Sequence, residues 1–134
     1  MASSVLLRVI LGQPGSLPEW RDIGRAVVSA LVEVECLRTL DRLRVVRALP
    51  EDEVASRREA VVRLLDSMEV VAVSAPVLRR ASQPFPITLG TLHALHLATA
   101  LLWRDFAGED PVMATHDKAL GSGARAMGLM VVGC

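Results

Sequence analysis

Residues 111–117, PVMATHD, contain the pattern that decides the fold class of this chain. A short apolar run over residues 111–115 predicts a strand, and a predicted helix over residues 117–127 follows at once. Short apolar runs also precede helical patterns at residues 26–29 and at residues 69–73. Short apolar strands that alternate with helices are typical of parallel strands covered by helices on both faces. The sequence therefore predicts an α/β fold.

The segments between these strands carry helical patterns. Helices are expected at residues 3–11, 30–48, 75–81 and 88–105, with one more that begins at Pro50, and a final strand at residues 129–132. Ser29 and Thr88 are the expected N-caps of the helices that follow them, because their hydroxyls can accept a free helical N–H. The expected architecture is a single domain, residues 1–134, in which one parallel sheet lies between two layers of helices.

Composition limits the classes of function. Fifteen basic and fifteen acidic side chains cancel, so any nucleic-acid site must be local rather than a property of the whole molecule. The two cysteines form no disulfide framework, and Cys36 is expected to be a small core residue in a reducing cytoplasm. No apolar stretch approaches the roughly 20 residues that cross a bilayer. We therefore expect a cytoplasmic protein without a membrane partner.

Two carboxylates are placed where chemistry is expected. In open parallel sheets ligands bind outside the carboxyl ends of the strands. Asp117 follows the strand at residues 111–115, and Glu35 lies one turn into the helix after residues 26–29. The residues alone leave two simpler interpretations open. Asp117 can merely cap its helix, and Glu35 can form an internal ion pair with Arg38 or Arg42.

Carboxylates at strand ends bind hard cations such as Mg²⁺ or Mn²⁺. Two such ions can activate a water and stabilise the leaving oxygen of a phosphodiester, which takes about three or four carboxylates. Residue patterns alone yield only Glu35 and Asp117. His93 and His96 stand three apart on one predicted helix, but an independent zinc site lacks an evident third ligand. His96 is expected to be a core histidine satisfied by a neighbouring backbone group or hydroxyl.

Three blocks of sequence resemble the PIN-domain family and, more narrowly, VapC-type toxins. They are SALVEVECLR at residues 29–38, LHALHLATA at residues 92–100, and ATHD at residues 114–117, which closes on GLMVV at residues 128–132. The order and spacing match along essentially the whole chain. The resemblance implies a three-layer α/β/α sandwich and metal-dependent cleavage of RNA of the tRNA or rRNA class. It also implies Mg²⁺ (or Mn²⁺) as cofactor and a cognate antitoxin as partner.

The resemblance also implies a set of site residues. The family usually holds its metal with four acidic positions, of which Glu35 matches the second and Asp117 the fourth. His93 stands at the third position and Ala2 at the first, and the opening strand before Ala2 is missing. Glu35 and Asp117 are thus the implied metal ligands, with His93 as a substituted ligand.

Further residues are implied to support this site or to contact partners. Ser3, Ser4 and Thr115 are the implied supporting hydroxyls. Arg38, Arg42 and Arg44 are candidates for contact with RNA phosphates or with acidic residues of an antitoxin, and a homodimer is a further expectation.

The loss of two acidic positions leaves several outcomes open. The chain can be a VapC-like endoribonuclease of weakened or lost activity, one of ordinary activity, or one whose His93 shifts the metal preference toward Mn²⁺ or Zn²⁺. The alternative from a different class is a non-catalytic PIN-fold module that binds an antitoxin or RNA.

Overall fold

Helices and short strands alternate along the chain in the computed structural model, which describes Met1, Ala2, Val5 and residues 25–134. The elements are β1 (Val27–Ser29), α1 (Leu31–Val46), α2 (Glu51–Asp66), β2 (Glu69–Val71), α3 (Ala75–Ala81), α4 (Thr91–Ala107), β3 (Val112–Ala114), α5 (Lys118–Ala126) and β4 (Met130–Val132). The predicted α/β class is confirmed. The helix expected at residues 3–11 lies, apart from Val5, outside the described residues.

The strands form two parallel pairs rather than the one continuous sheet that was expected. β1 pairs with β2, and β3 pairs with β4. Between β1 and β3 the described part of the chain places only Met1 and Ala2. The Met1 amino group donates to the Val27 carbonyl at 2.9 Å, and the Ala2 N–H donates to the Ala114 carbonyl at 2.9 Å. Met1 and Ala2 thus link the two strand pairs, but a segment of two residues is too short to form a full strand of the sheet.

Each strand pair has its own core. The first half of the molecule (β1, α1, α2 and β2) packs around six buried residues, namely Val28, Val32, Cys36, Leu40, Val61 and Leu65. The second half (α4, β3, α5 and β4) packs around Leu97, Leu101, Met113, Leu120, Ala124 and Leu129, together with Ala2. Val77 of α3 packs against α4. The sheet therefore consists of two modules, and α4 with the first two residues lies where they meet.

The helix that carries both histidines begins later than predicted. Thr88 does not cap it, because residues 88–90 lie outside the helix and Gly90, extended at φ −66° and ψ 163°, is its N-cap. Leu89 packs against the core of the second half, which keeps this segment out of the helix. Ser29 does accept a hydrogen bond from the Leu31 N–H at 3.2 Å, although Ala30 occupies the N-cap position of α1.

Candidate functional site

α4 brings two histidines toward two other elements. His93 and His96 lie one turn apart on this helix, so their side chains project from the same side, about 5–6 Å apart at their Cβ atoms. Glu35 lies near the start of α1, directly after β1. Asp117 lies between β3 and α5. The two carboxylates therefore come from different halves of the molecule, and each meets one histidine of α4.

His96 and Glu35 form a close, buried pair. The His96 Nε2 lies 2.5 Å from Glu35 Oε1, and the two side chains are 5% and 20% exposed. Since an ionised carboxylate only accepts hydrogen bonds, Nε2 carries the proton in this pair. The simpler interpretation left open for Glu35, an ion pair with Arg38 or Arg42, is wrong, because its partner is His96. The Arg38 guanidinium instead lies 3.9 Å from the Asp41 carboxylate. The Glu35 carboxylate lies on the inner side of α1 and cannot reach the exposed guanidinium.

The other expectation for His96 was half right. His96 is a core histidine, only 6% exposed, but its partner is a carboxylate rather than a backbone group or a hydroxyl. The burial of a charged or polar group is costly unless it is hydrogen-bonded. Each side chain of this pair therefore provides the hydrogen-bond partner that the other needs, and the bond joins α1 to α4.

His93 and Asp117 form a looser and more exposed pair. The His93 Nδ1 lies 3.6 Å from Asp117 Oδ1, with side-chain exposures of 34% and 40%. The same oxygen accepts the Leu120 N–H at 2.9 Å, so Asp117 caps α5. The Asp117 N–H donates to the buried Thr115 hydroxyl at 3.0 Å. The capping interpretation of Asp117 is thus confirmed, and the cap leaves the carboxylate beside a histidine.

The other predicted residues lie away from these two pairs or outside the described residues. Arg38, Arg42 and Arg44 are exposed on α1, and Arg44 lies 3.1 Å from Asp41. Ser3 and Ser4 lie outside the part of the chain that the structure describes.

Comparison with known proteins identifies the family. The PIN domain matches residues 3–121 of this chain. The chain belongs to the PIN domain family. It is also similar to the Ribonuclease VapC47 of Mycobacterium tuberculosis (strain CDC 1551 / Oshkosh), with 27% identity over 132 residues, which cover 97% of this chain and 92% of that protein. The resemblance to the PIN-domain family and the α/β class that it implied are confirmed.

In residues 25–134 and the described start of the chain, no helix has the length and apolar character needed to cross a membrane.

The residues expected to hold the divalent metal that the family implies are not gathered into one group in the described part of this PIN domain. Among the described residues no three His, Cys, Asp or Glu side chains form a group that could hold an ion. The nitrogen and oxygen donors are of a suitable kind, but they form two separate pairs. His93 is beside Asp117, whereas Glu35 is occupied by His96. Each carboxylate therefore already has a partner that competes with a cation.

His96 is the residue that sequence reasoning missed in this PIN domain. The sequence predicts a core side chain at His96 and leaves the partner of Glu35 open. Two buried polar residues that each need a partner are a signal that they bond to each other. That signal was present in the sequence. The 61-residue separation of the two positions is beyond the reach of helical periodicity.

Proposed function

We propose that this PIN domain is a VapC-like ribonuclease toxin whose metal-dependent cleavage of RNA is weakened. The family assignment and the similarity to a ribonuclease along nearly the whole chain support the reaction class. The observation that carries the weakening is that Glu35, one of the two family carboxylates present, is hydrogen-bonded to the buried His96.

Charge balance gives the physical reason. Two Mg²⁺ ions carry four positive charges, and Glu35 and Asp117 supply only two negative ones. Mg²⁺ also prefers oxygen ligands and loses its waters reluctantly. The 2.5 Å hydrogen bond to His96 occupies Oε1 of Glu35 in a largely buried environment, so Glu35 can bind an ion through both oxygens only if it gives up that bond. A second Mg²⁺ should therefore bind poorly, and cleavage that depends on two ions should be slow.

Glu35, Asp117 and His93 are the proposed ligands of any single ion that does bind. A nitrogen ligand at His93 favours Mn²⁺ over Mg²⁺. Thr115 is proposed to hold Asp117 in place through the hydroxyl that accepts its N–H. Ser3 and Ser4 are proposed as supporting hydroxyls at the first acidic position.

The proposed partners follow the family. RNA of the tRNA or rRNA class is the proposed substrate, in the cytoplasm, and a cognate antitoxin the proposed inhibitor. The exposed guanidinium groups of Arg38, Arg42 and Arg44 are suited to bind phosphate oxygens or antitoxin carboxylates. A homodimer is a further proposal.

The test is cleavage of total RNA by the purified chain with Mg²⁺ and with Mn²⁺. We expect slow or undetectable cleavage in Mg²⁺ and faster cleavage in Mn²⁺. The double variant Ala2→Asp, His93→Asp should raise the rate in Mg²⁺ because it restores two carboxylates. Because Ala2 is buried, thermal unfolding of the double variant must show that it remains folded.

A charge-matched variant, Ala55→Asp with Gln83→Asp, serves as the control, since both residues are exposed and distant in sequence from the acidic positions. It should leave the rate unchanged. Robust Mg²⁺-dependent cleavage by the unmodified chain, abolished by Asp117→Ala, would show that the site is not weakened.

The second candidate function is a non-catalytic module that binds an antitoxin or RNA. The paired carboxylates favour it as well, because each carboxylate already has a histidine beside it and can persist without a metal. RNA binding that needs no divalent ion, together with no cleavage by the chain or by the double variant in either metal, would favour this function over the first.

A further inference from the structure

The loop that carries Asp117 bonds to the segment that follows β4. β3 and β4 pair in parallel with Ala114 opposite Val132, and the Thr115 N–H donates to the Val132 carbonyl at 3.1 Å. His116 and Asp117 come next, before α5 begins. The chain after β4 therefore runs alongside the two residues that follow Thr115.

His116 makes the next bond through its side chain. Its Nδ1 lies 2.9 Å from the Gly133 carbonyl oxygen. Since a carbonyl only accepts hydrogen bonds, Nδ1 carries a proton and donates it. This bond ties a side chain of the loop to the main chain of the neighbouring segment, one residue before Asp117.

Asp117 is reached through its main chain. The exposed Cys134 thiol donates to the Asp117 carbonyl at 3.6 Å, and the Arg125 guanidinium donates to the Cys134 main-chain oxygen at 2.8 Å. A thiol is a weak donor, so this contact should add less than the bond from His116. Successive residues of the loop, 115–117, thus bond to successive residues of the segment, 132–134.

Glycine at position 133 is what allows this close approach. Gly133 has a φ of +101°, a conformation that favours glycine. A Cβ built on it would lie 2.4 Å from the Thr115 carbonyl oxygen and 3.4 Å from His116 Nδ1. A side chain at this position would therefore push the segment away from the loop.

The Asp117 carboxylate projects from the backbone that these contacts hold. Its Oδ1 accepts the Leu120 N–H at 2.9 Å, and the Asp117 N–H donates to the Thr115 hydroxyl at 3.0 Å. Both partners are near neighbours of Asp117 in the sequence. The bond from His116 to Gly133 instead spans 17 residues, so it holds the loop relative to the sheet.

We propose that His116 and Gly133 are positioning residues for Asp117, which fix the direction of its carboxylate by holding the loop to the segment after β4. They act through Asp117 and are not proposed as ligands themselves. Groups that orient a ligand residue commonly contribute about tenfold or more to metal affinity. The consequence for ion binding rests on the proposed function, in which Asp117 is a ligand, whereas the orientation of Asp117 does not.

Two pairs of variants of the full chain test this role. His116→Leu removes the donor to Gly133, whereas His116→Asn keeps one, because the amide nitrogen of Asn stands as many bonds from the backbone as Nδ1. Gly133→Ala introduces the Cβ that collides with Thr115. Its control is Gly128→Ala, since Gly128 also has a positive φ, +85°, but nothing lies within 4 Å of its Cβ.

The first measurement is amide hydrogen exchange by NMR without metal. In His116→Leu and Gly133→Ala we expect the Leu120 N–H to exchange about fivefold faster, because the carboxylate that accepts it is no longer held in place. The amide of the buried Ala124 in α5 should keep its rate. In His116→Asn and Gly128→Ala, Leu120 should exchange as in the unmodified chain.

The second measurement is calorimetric titration with Mn²⁺. Its affinity should fall about tenfold in His116→Leu and Gly133→Ala and stay within about twofold in the two controls. Absence of Mn²⁺ binding by the unmodified chain would contradict the proposed function, and the exchange of Leu120 would still decide the positioning role.

Two outcomes would overturn the proposal. One is an unchanged exchange rate of Leu120 in both His116→Leu and Gly133→Ala. The other is equal acceleration at Leu120 and Ala124, which would mean that the two residues support the fold as a whole and do not position Asp117. His116 is partly exposed, so its two variants leave the core intact and decide the test even if Gly133→Ala does not fold.

Discussion

His96 and His93 stand one turn apart on α4, and each faces a carboxylate from a different half of the molecule. His96 and Glu35 are 2.5 Å apart and largely buried. His93 and Asp117 are 3.6 Å apart, and each is more than a third exposed, at 34% and 40%. Both pairs place an imidazole beside a carboxylate, but solvent reaches only the second pair freely.

This difference separates a structural role from a functional one. A buried carboxylate needs its partner, because the alternative is an unsatisfied charge. Exposed pairs of the same kind contribute little, because water screens them. The comparison therefore predicts that the Glu35–His96 pair holds α1 against α4. His93 and Asp117, in contrast, can separate and bind a ligand with little loss of stability.

The largest expected effect is on the buried pair. His96→Leu keeps the core filled but leaves Glu35 without a partner. A broken buried pair typically costs about 3–5 kcal/mol, and the partial exposure of Glu35 (20%) lowers our expectation to about 2–3 kcal/mol of unfolding free energy. Urea denaturation measures it.

Cys36, next to Glu35, gives a second readout. Burial, with a smaller effect from the Glu35 charge, raises the pKa of the Cys36 thiol to about 12. Thiolate is therefore scarce in the native state, and iodoacetamide should label the exposed Cys134 much faster than Cys36. In His96→Leu the labelling of Cys36 should accelerate, while that of Cys134 stays the same.

The double variant Glu35→Leu, His96→Leu is the control for this prediction. It should recover most of the lost stability, because removal of both partners leaves no unsatisfied group. A His96→Leu protein whose unfolding free energy stays within about 0.5 kcal/mol of the original would contradict a fastening role.

Much of the fold could be predicted because its signals are local. α3 was expected at residues 75–81 and is found at Ala75–Ala81, since Pro76 and the flanking polar residues define both ends. Cys36 was expected in the core and is fully buried. The start of α4 was missed because Thr88 has the right chemistry for a cap, whereas the tertiary packing of Leu89 decides where the helix begins.

Contacts between distant residues account for what could not be predicted. Alternating strands and helices predict parallel pairing but not which strands are neighbours, so this pattern alone did not predict that β1 and β3 are unpaired with each other. In the same way, the spacing of His93 and His96 shows that they share a helix face. It does not show which carboxylate meets which histidine, because Glu35 and Asp117 reach α4 through different strands.

A smaller effect on the unfolding free energy is expected at Asp117, where the contribution of the capping hydrogen bond can be separated from that of the negative charge. Asp117→Ala removes the acceptor of the Leu120 N–H and should lower the unfolding free energy by about 1 kcal/mol. Asp117→Asn keeps an acceptor and should stay within about 0.5 kcal/mol of the original. Both variants lose the charge, so calorimetric titration should show weakened Mn²⁺ binding in each. Equal destabilisation by Asn and Ala would mean that the charge of Asp117, and not its cap, holds α5.

The smallest stability effect is expected at His93. At 3.6 Å its Nδ1 is beyond good hydrogen-bonding distance of Asp117, and both side chains are partly exposed. His93→Leu should therefore change the unfolding free energy by no more than about 0.5 kcal/mol, although it is the same substitution as at His96 one turn away. Its effect should appear in metal binding instead, because loss of a nitrogen ligand weakens Mn²⁺ more than Mg²⁺. Urea denaturation and titration with both metals give the two readouts on one protein. If His93→Leu destabilises the fold as much as His96→Leu, the exposed pair is structural too, and the distinction between the two pairs is wrong.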